Sequence, residues 1–269
     1  MKTNMKCGFI GLGSQGGPMA QRMIDAGLDV VLWARRAETL QPYADTTAII
    51  APSLRALAEQ VDYCAVCVVD DAGVQLVCDE LLAAMAPGGI IVIHSTVHPD
   101  LCKTLALQAA SKGISLVDAP VSGGGSGAAH GTLTVMAGGE ASAVERARAV
   151  CASFAGLFVH LGDIGAGQMA KLVNNSLMAA NLALAHHALE AANALHLDSH
   201  AFAELVKVSS GRSFAFDVRA RMPAPQAFNH GAALLAKDVR LLGETLGDNA
   251  AYKNIRDVAT PFIELALAK

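Results

Sequence analysis

Lys6-Cys7-Gly8-Phe9-Ile10-Gly11-Leu12-Gly13-Ser14-Gln15-Gly16 is the stretch on which the reading of this chain turns. Its first half is a short apolar run of the kind that makes a buried strand, and it breaks at once into glycines spaced as GxGxxG. Between a strand and a helix that spacing has a mechanical meaning. Gly11 permits the tight turn, Gly13 lets a pyrophosphate approach the backbone, and Gly16 lets the next helix sit close to the strand. The start of that helix offers unpaired N–H groups and a positive dipole end to phosphates. Gly11, Leu12, Gly13, Ser14, Gln15 and Gly16 are therefore candidate cofactor-binding residues. A GxGxxG alone is a weak signal, since glycine-rich turns are common; its context gives it weight.

That context is an alternation. Apolar runs at 6–10, 29–33, 63–69, 90–94 and 115–118 read as strands, and Ala/Leu-rich stretches at 18–26, 53–59, 73–85 and 99–111 read as helices. Strands apolar on both faces, separated by helices, predict a parallel sheet covered on both sides. A last strand pair is expected at 133–137 and 157–161, with a helix at 141–154 between them. After Gly162 the alternation stops. Helices are expected at 168–195, 199–209, 231–246 and 252–268, with Met222-Pro223-Ala224-Pro225 breaking the run. The predicted fold class is an α/β parallel-sheet domain over 1–163 followed by an all-α domain over 164–269, the long helix lying just past the boundary.

Composition narrows the function. Twenty basic against twenty-four acidic residues give a net charge of −4 with no basic block, which argues against a nucleic-acid partner. Cys64 and Cys67, three apart on an expected strand, point to opposite faces and are poorly placed to share a metal or a disulfide. The six scattered cysteines read as buried small hydrophobes, in keeping with a cytoplasmic protein. Lys2 and Lys6 precede an apolar run too short for a leader core. Residues 172–189 carry no formal charge, but Asn174, Asn175, Asn181, His186 and His187 within them argue for a helix buried in protein and against a membrane. His186 and His187 cannot both face one metal from a helix, so no metal site is expected.

The second strand ends Leu32-Trp33-Ala34-Arg35-Arg36. An acidic residue there would bind the ribose hydroxyls of NAD; this chain has Ala34 and then two arginines, which pair with a 2′-phosphate. NADP is the expected cofactor, with NAD as the alternative, and Arg35 and Arg36 join the cofactor-binding set.

Farther along stand Asp118-Ala119-Pro120-Val121-Ser122-Gly123-Gly124, Gly131-Thr132-Leu133, Gly138-Gly139, Gly165-Ala166-Gly167-Gln168-Met169-Ala170-Lys171-Leu172-Val173-Asn174-Asn175 and Lys237-Asp238. With Gly8-Phe9-Ile10-Gly11-Leu12-Gly13 this series resembles, over almost the whole chain and in order, the β-hydroxyacid dehydrogenases, the family of 3-hydroxyisobutyrate dehydrogenase and tartronate semialdehyde (2-hydroxy-3-oxopropionate) reductase. The resemblance implies a Rossmann-like domain, an all-α domain, a long interdomain helix and an active site in the cleft between domains. It implies hydride exchange between a 3-hydroxy acid and its semialdehyde or oxo acid, with NAD or NADP. By motif, Lys171 takes the catalytic lysine's place and Asn175 that of the asparagine one turn later. Ser122, Gly123 and Gly124 take that of the substrate-carboxylate loop, Thr96 that of a residue near the nicotinamide, and Lys237 that of a second lysine near the cofactor. The chain departs from the family at Gln15, where Met is usual, and in shorter last helices.

The chemistry suits these residues. Alcohol oxidation needs a group that takes the hydroxyl proton in one direction and returns it in the other. A lysine does so when burial lowers its pKa toward neutrality. Asn175, at i+4 on the same helical face, can hydrogen-bond the substrate hydroxyl or the ammonium without adding charge. Consecutive small residues at 122–124 let backbone N–H groups converge on an anion. Lys237 and Asp238, taken without the resemblance, read as an ordinary surface pair, and His94, at a strand end, as structural. A small carboxylate is the expected partner, and a homodimer or higher homo-oligomer the expected assembly. Two readings compete: a non-catalytic nucleotide-binding regulator, and an imine reductase on the same fold. Lys171 counts against both.

Overall fold

The computed structural model describes residues 5–268; Lys2, weighed above as part of a leader, lies outside the described residues. The described residues fall into two compact units, one running to Lys171 and the other from Leu172.

In the first unit, β1 (Lys6–Ile10), β2 (Asp29–Trp33), β3 (Ile49–Ile50), β4 (Tyr63–Val66), β5 (Ile90–Ile93) and β6 (Ser115–Asp118) form one sheet in the order β3-β2-β1-β4-β5-β6, and every pairing is parallel. Between them run α1 (Gly16–Asp25), α2 (Leu54–Ala58), α3 (Asp71–Ala84) and α4 (Pro99–Ala110). The pleat sends alternate side chains to two cores. Tyr63, Ala65, Ile90 and Val92 pack with Met19 and Met23 of α1, while Cys64, Val66, Ile91 and Ile93 pack with Leu57, Leu81 and Leu105 of α2, α3 and α4. All four residues of β5 are fully buried. Each contributes roughly 1.5–3 kcal/mol by leaving water, so a strand without a polar residue belongs in the interior of such a sheet.

The expected late strands form a sheet of their own. β7 (Val121–Ser122), β8 (Leu133–Ala137) and β9 (Ala155–His160) lie in that order, β7 antiparallel and β9 parallel to β8. α5 (Gly124–His130) joins β7 to β8 and α6 (Ala141–Cys151) joins β8 to β9. A two-way backbone bridge between Asp118 and Gly138 links this sheet to β6.

α7 (Ala166–Ala194) begins in the first unit and continues into the second. There follow α8 (Ser199–Val208), α9 (Phe214–Ala220), a 3-10 turn at Pro225–Phe228, α10 (Asn229–Leu246) and α11 (Ala250–Leu267). Asp198 caps α8 and Ser213 caps α9, each accepting a backbone N–H of the first turn. Within this unit Ala179, Leu182 and Ala183 of α7 share a core with Ala232, Leu235 and Val239 of α10 and Phe262 and Ile263 of α11.

Four short elements escape the sequence pattern. β3 and β7 have two residues each, α5 is rich in glycine, and α9 carries charges that mask its periodicity. The strand expected at 63–69 ends at Val66, and the next residue, Cys67, sets its carbonyl oxygen against Gly11.

Candidate active site

Register brings the motifs together. Ile10 pairs with Trp33 and with Val66, Val66 with Ile93, and Ile93 with Asp118. The carboxyl ends of β2, β1, β4, β5 and β6 thus form one row, and the residues after each end are the motif residues: Ala34 to Arg36, Gly11 to Gly16, Cys67 and Val68, His94 to Val97, and Ala119 to Gly124. Open α/β sheets bind ligands beyond this edge, where the strand order reverses. Here the reversal falls between β1 and β4.

The glycine turn is built as its spacing demands. Gly11 has φ +99°, and a Cβ there would lie 2.0 Å from the Cys67 carbonyl oxygen. A Cβ on Gly16 would lie 2.0 Å from the Gly11 oxygen and 3.0 Å from the Phe9 ring. At Gly13 nothing lies within 4 Å of an added Cβ. Two glycines are consumed by the fold, and the third faces open space at the start of α1. Gln15 occupies the N-cap of that helix and makes no side-chain cap bond. These features fit a dinucleotide's pyrophosphate.

Arg35 and Arg36 are exposed immediately after β2. Arg36 makes a 3.9 Å ion pair with Glu38 between side chains 70% and 66% exposed, a contact worth about 0–1 kcal/mol and easily exchanged for another anion. Ser122 ends β7, Gly123 caps α5 at φ +127°, and Gly124 opens that helix at φ +62°. This segment lies against the glycine turn: a Cβ on Gly125 would come 2.5 Å from the Ser14 carbonyl oxygen.

The segment leading to Lys171 is the most tightly bonded part of the site. Asp118, fully buried, accepts the N–H of Gly165 at 2.6 Å and that of Gln168 at 2.7 Å, which caps α7. Burial pushes its carboxyl up to about 6 against the opposing pull of those N–H donors. The Gln168 side chain, also fully buried, donates to the Ser95 carbonyl at 2.8 Å and accepts the Val97 N–H at 3.1 Å. Ser95 Oγ in turn accepts the Val68 N–H at 2.8 Å. Thr96, partly exposed, sits between those two pinned residues. Lys171, 8% exposed, follows Gln168 by three residues on the same helix.

His94 and His98, on either side of the Ser95 to Val97 turn, each bond a backbone group through the ring. His94 Nδ1 donates to the Ala119 carbonyl at 2.7 Å, its ring meets Phe154 edge-on, and burial lowers its pKa to about 4. His98 caps α4 through Asp100 N–H. All six cysteines are free, and Cys64 and Cys67 pack into opposite cores. Among the described residues no cluster of His, Cys, Asp or Glu is arranged to hold a metal, and no helix is long and apolar enough to cross a membrane.

In the second unit Asn175 Nδ2 donates to Asp238 Oδ2 at 2.5 Å, and Lys237 Nζ lies 3.7 Å from the other oxygen. Asp238 is 3% exposed, so this is not an ordinary surface pair: its carboxylate is buried and holds Asn175. Arg219 is engaged locally, with the Met222 carbonyl and the His186 ring. Asp118, Gln168 and Asp238 had no assigned role from sequence. Their signal was a carboxylate ending an apolar strand and polar residues embedded in apolar helices.

A parallel sheet with a glycine turn at its switch point and a buried lysine beyond its carboxyl edge defines a dinucleotide-binding oxidoreductase. Residues 6–162 match the NAD-binding domain of 6-phosphogluconate dehydrogenase, and residues 165–264 match the NAD-binding domain of NADP-dependent 3-hydroxyisobutyrate dehydrogenase. The chain belongs to the 3-hydroxyisobutyrate dehydrogenase-like β-hydroxyacid dehydrogenase family, whose members are NAD(P)-dependent oxidoreductases. It is 33% identical to the NAD-dependent L-serine dehydrogenase of Pseudomonas aeruginosa, over 97% of this chain and 89% of that protein. It is 34% identical to the 3-hydroxyisobutyrate dehydrogenase of the same organism, over 96% and 88%. The structure of Mycobacterium tuberculosis 3-hydroxyisobutyrate dehydrogenase with L-serine superposes at a TM-score of 0.85, with 27% identity, over 97% of this chain and 94% of that one.

Proposed function

We propose that this protein is an NADP-dependent dehydrogenase that interconverts a small 3-hydroxy acid and its semialdehyde or oxo acid. The observation that carries the reading is Lys171: a buried lysine on a helix bonded, one turn earlier, to the Ser95 to Val97 turn at the carboxyl edge of the sheet. The bound nicotinamide cofactor supplies or accepts the hydride. Lys171 Nζ takes the hydroxyl proton during oxidation and returns it during reduction. Asn175, one turn on and held by Asp238 through one hydrogen of its amide, offers the other to the substrate hydroxyl. Ser122, Gly123 and Gly124 hold the carboxylate. Gly11 to Gly16 receive the pyrophosphate, Arg35 and Arg36 the 2′-phosphate, and Thr96 and Lys237 complete the cofactor's surroundings. The relatives named for L-serine and 3-hydroxyisobutyrate support the substrate class, since both compounds are small carboxylates with a hydroxyl on the third carbon. The free thiols support a cytoplasmic setting.

A panel of short 3-hydroxy acids and semialdehydes, followed by NADPH and NADH absorbance, tests the reading. Lys171→Ala should lower kcat by roughly 10²-fold or more while NADPH still binds; near-wild-type turnover in that variant sinks the mechanism. Ala34→Asp should move preference toward NAD, and unchanged preference refutes the role of the arginines. Homodimers are expected through the helical unit, where Leu205, Val208 and Phe214 are exposed. Sedimentation showing only monomer at micromolar concentration would contradict that.

A further inference from the structure

We propose that Gln168 is a positioning residue: its side-chain amide fastens the Ser95-Thr96-Val97 turn to the first turn of the helix that carries Lys171, so that Thr96 and Lys171 move as one body. The proposal rests on the dehydrogenase reading of the site. Five observations, all within the first unit, converge on it. Gln168 is fully buried, and both ends of its amide are used, one on each side of Thr96. Ser95 and Val97 are buried whereas Thr96 is partly exposed, so the clamp grips the flanks and presents the residue between them. Its backbone N–H is fixed by the Asp118 carboxylate, so the clamp has a rigid base at the end of β6. The far side of the turn is tied to β4 and the residues just after it: the Val66 carbonyl accepts the His94 N–H, and the Val68 N–H reaches Ser95 Oγ. Gly167 lets α7 approach this closely: a Cβ there would lie 2.2 Å from the Met136 carbonyl oxygen.

No shorter polar side chain spans both groups, and a carboxylate satisfies only one. Glutamine supplies an acceptor for Val97 and a donor for Ser95 without charge at any pH. Since reacting groups must be held within a fraction of an ångström, loosening this link should reduce turnover more than ligand binding.

Two variants test it, read by steady-state kinetics on whichever panel substrate the wild type turns over, by NADPH titration of intrinsic fluorescence and by amide hydrogen exchange. Gln168→Met keeps the length and loses both bonds. The expected result is exchange at Val97 accelerated at least tenfold with α1 unaffected, kcat lowered at least tenfold, and NADPH Kd and substrate KM within threefold. Gln168→Glu adds a pH readout. Protonated, the new carboxyl is isosteric with the amide and makes both bonds; ionised, it loses the donor and sets a negative oxygen against the Ser95 carbonyl. Its kcat relative to wild type should therefore climb as pH falls. Asp118, His94, Asp71 with His98, Lys171 and the Cys102 thiol, which the Gln168 side chain also meets, are common to both proteins, so the ratio isolates residue 168. Faster Val97 exchange with kcat within twofold of wild type overturns the proposal, as does a flat ratio in Gln168→Glu, which decides the matter if Gln168→Met fails to fold. A wild type inactive on the whole panel overturns the dehydrogenase reading and this inference with it; an active wild type with indifferent variants overturns this inference alone.

Discussion

Single residues separate what the fold needs from what the ligand needs, and the glycine turn shows the difference within three positions. At Gly11 a methyl group meets a backbone oxygen at 2.0 Å in a left-handed conformation. Gly11→Ala should therefore cost more than ~3 kcal/mol, visible as a large drop in Tm without any ligand. At Gly13 the methyl enters open space, so Gly13→Ala should leave Tm unchanged or raise stability by about 0.4–1 kcal/mol. Its NADPH Kd should nonetheless rise about tenfold or more, because the methyl stands where a pyrophosphate approaches the backbone. Equal loss of stability in both variants would remove the argument. His94 adds a pH signature. Its folded pKa is held down near 4 by burial, below the unfolded value, so its contribution to stability is present above about pH 6.5 and is lost as pH falls toward 4. His94→Asn, which keeps a donor for the Ala119 carbonyl, should flatten the urea-unfolding free energy across that window; an unchanged acid slope in the variant contradicts the assignment.

Among the elements, α7 is decided by its first turn. Helices leave N–H groups unpaired at their start, and a buried start needs an acceptor. Asp118 provides it from the end of β6, 47 residues before Gly165. Asp118→Asn keeps one acceptor oxygen but turns an amide donor toward another N–H, which should cost about 1–3 kcal/mol. The sign of the pH dependence is set by burial outweighing the N–H donors. The folded pKa, about 6, lies above the unfolded value, so the titration's contribution is full below about pH 4 and is lost as pH rises to 6. The stability gap between wild type and Asp118→Asn should narrow over that interval; a gap that widens means the N–H donors win. The same element shows why some of the site was legible and some was not. Lys171 and Asn175 stand out in sequence because a charge and amides interrupt an apolar helix. Gln168 and Asp118 show in sequence only as polar residues among apolar ones; their roles do not show, since their partners are backbone groups of distant turns that no local pattern records. β1, β2, β5 and β6 were legible from their apolar runs, whereas β3 and β7 are too short to carry a period. The carboxylate behind Asn175 was hidden for a related reason: Asp238 sits beside Lys237 in sequence like any exposed pair, and only packing buries it.

For the molecule as a whole, the net charge of −4 sets how an anionic cofactor and an anionic substrate are captured. No general positive field draws them in, so attraction must come from a few cations at the carboxyl edge of the sheet, and the rest of the surface opposes it weakly. Arg35 and Arg36 are exposed, and at 0.1 M ionic strength charges more than about 10 Å apart are largely screened. Salt should then act on two terms of opposite sign: it weakens the pairing of the arginines with a 2′-phosphate and relieves the long-range repulsion. On the proposed reading the local term dominates in the wild type, so NADPH Kd should rise between 20 and 300 mM salt, by roughly threefold to tenfold if each of two exposed arginine–phosphate pairs is worth about 0.3–0.7 kcal/mol. In a double variant with Arg35 and Arg36 both changed to Ala, only the repulsion is left. Its NADPH Kd should be weaker at every salt concentration yet flat or falling as salt is added. NADH lacks the 2′-phosphate and should give that flat response with the wild type as well, which serves as an internal control. A double variant that kept the wild-type salt slope would place the phosphate-binding cations elsewhere.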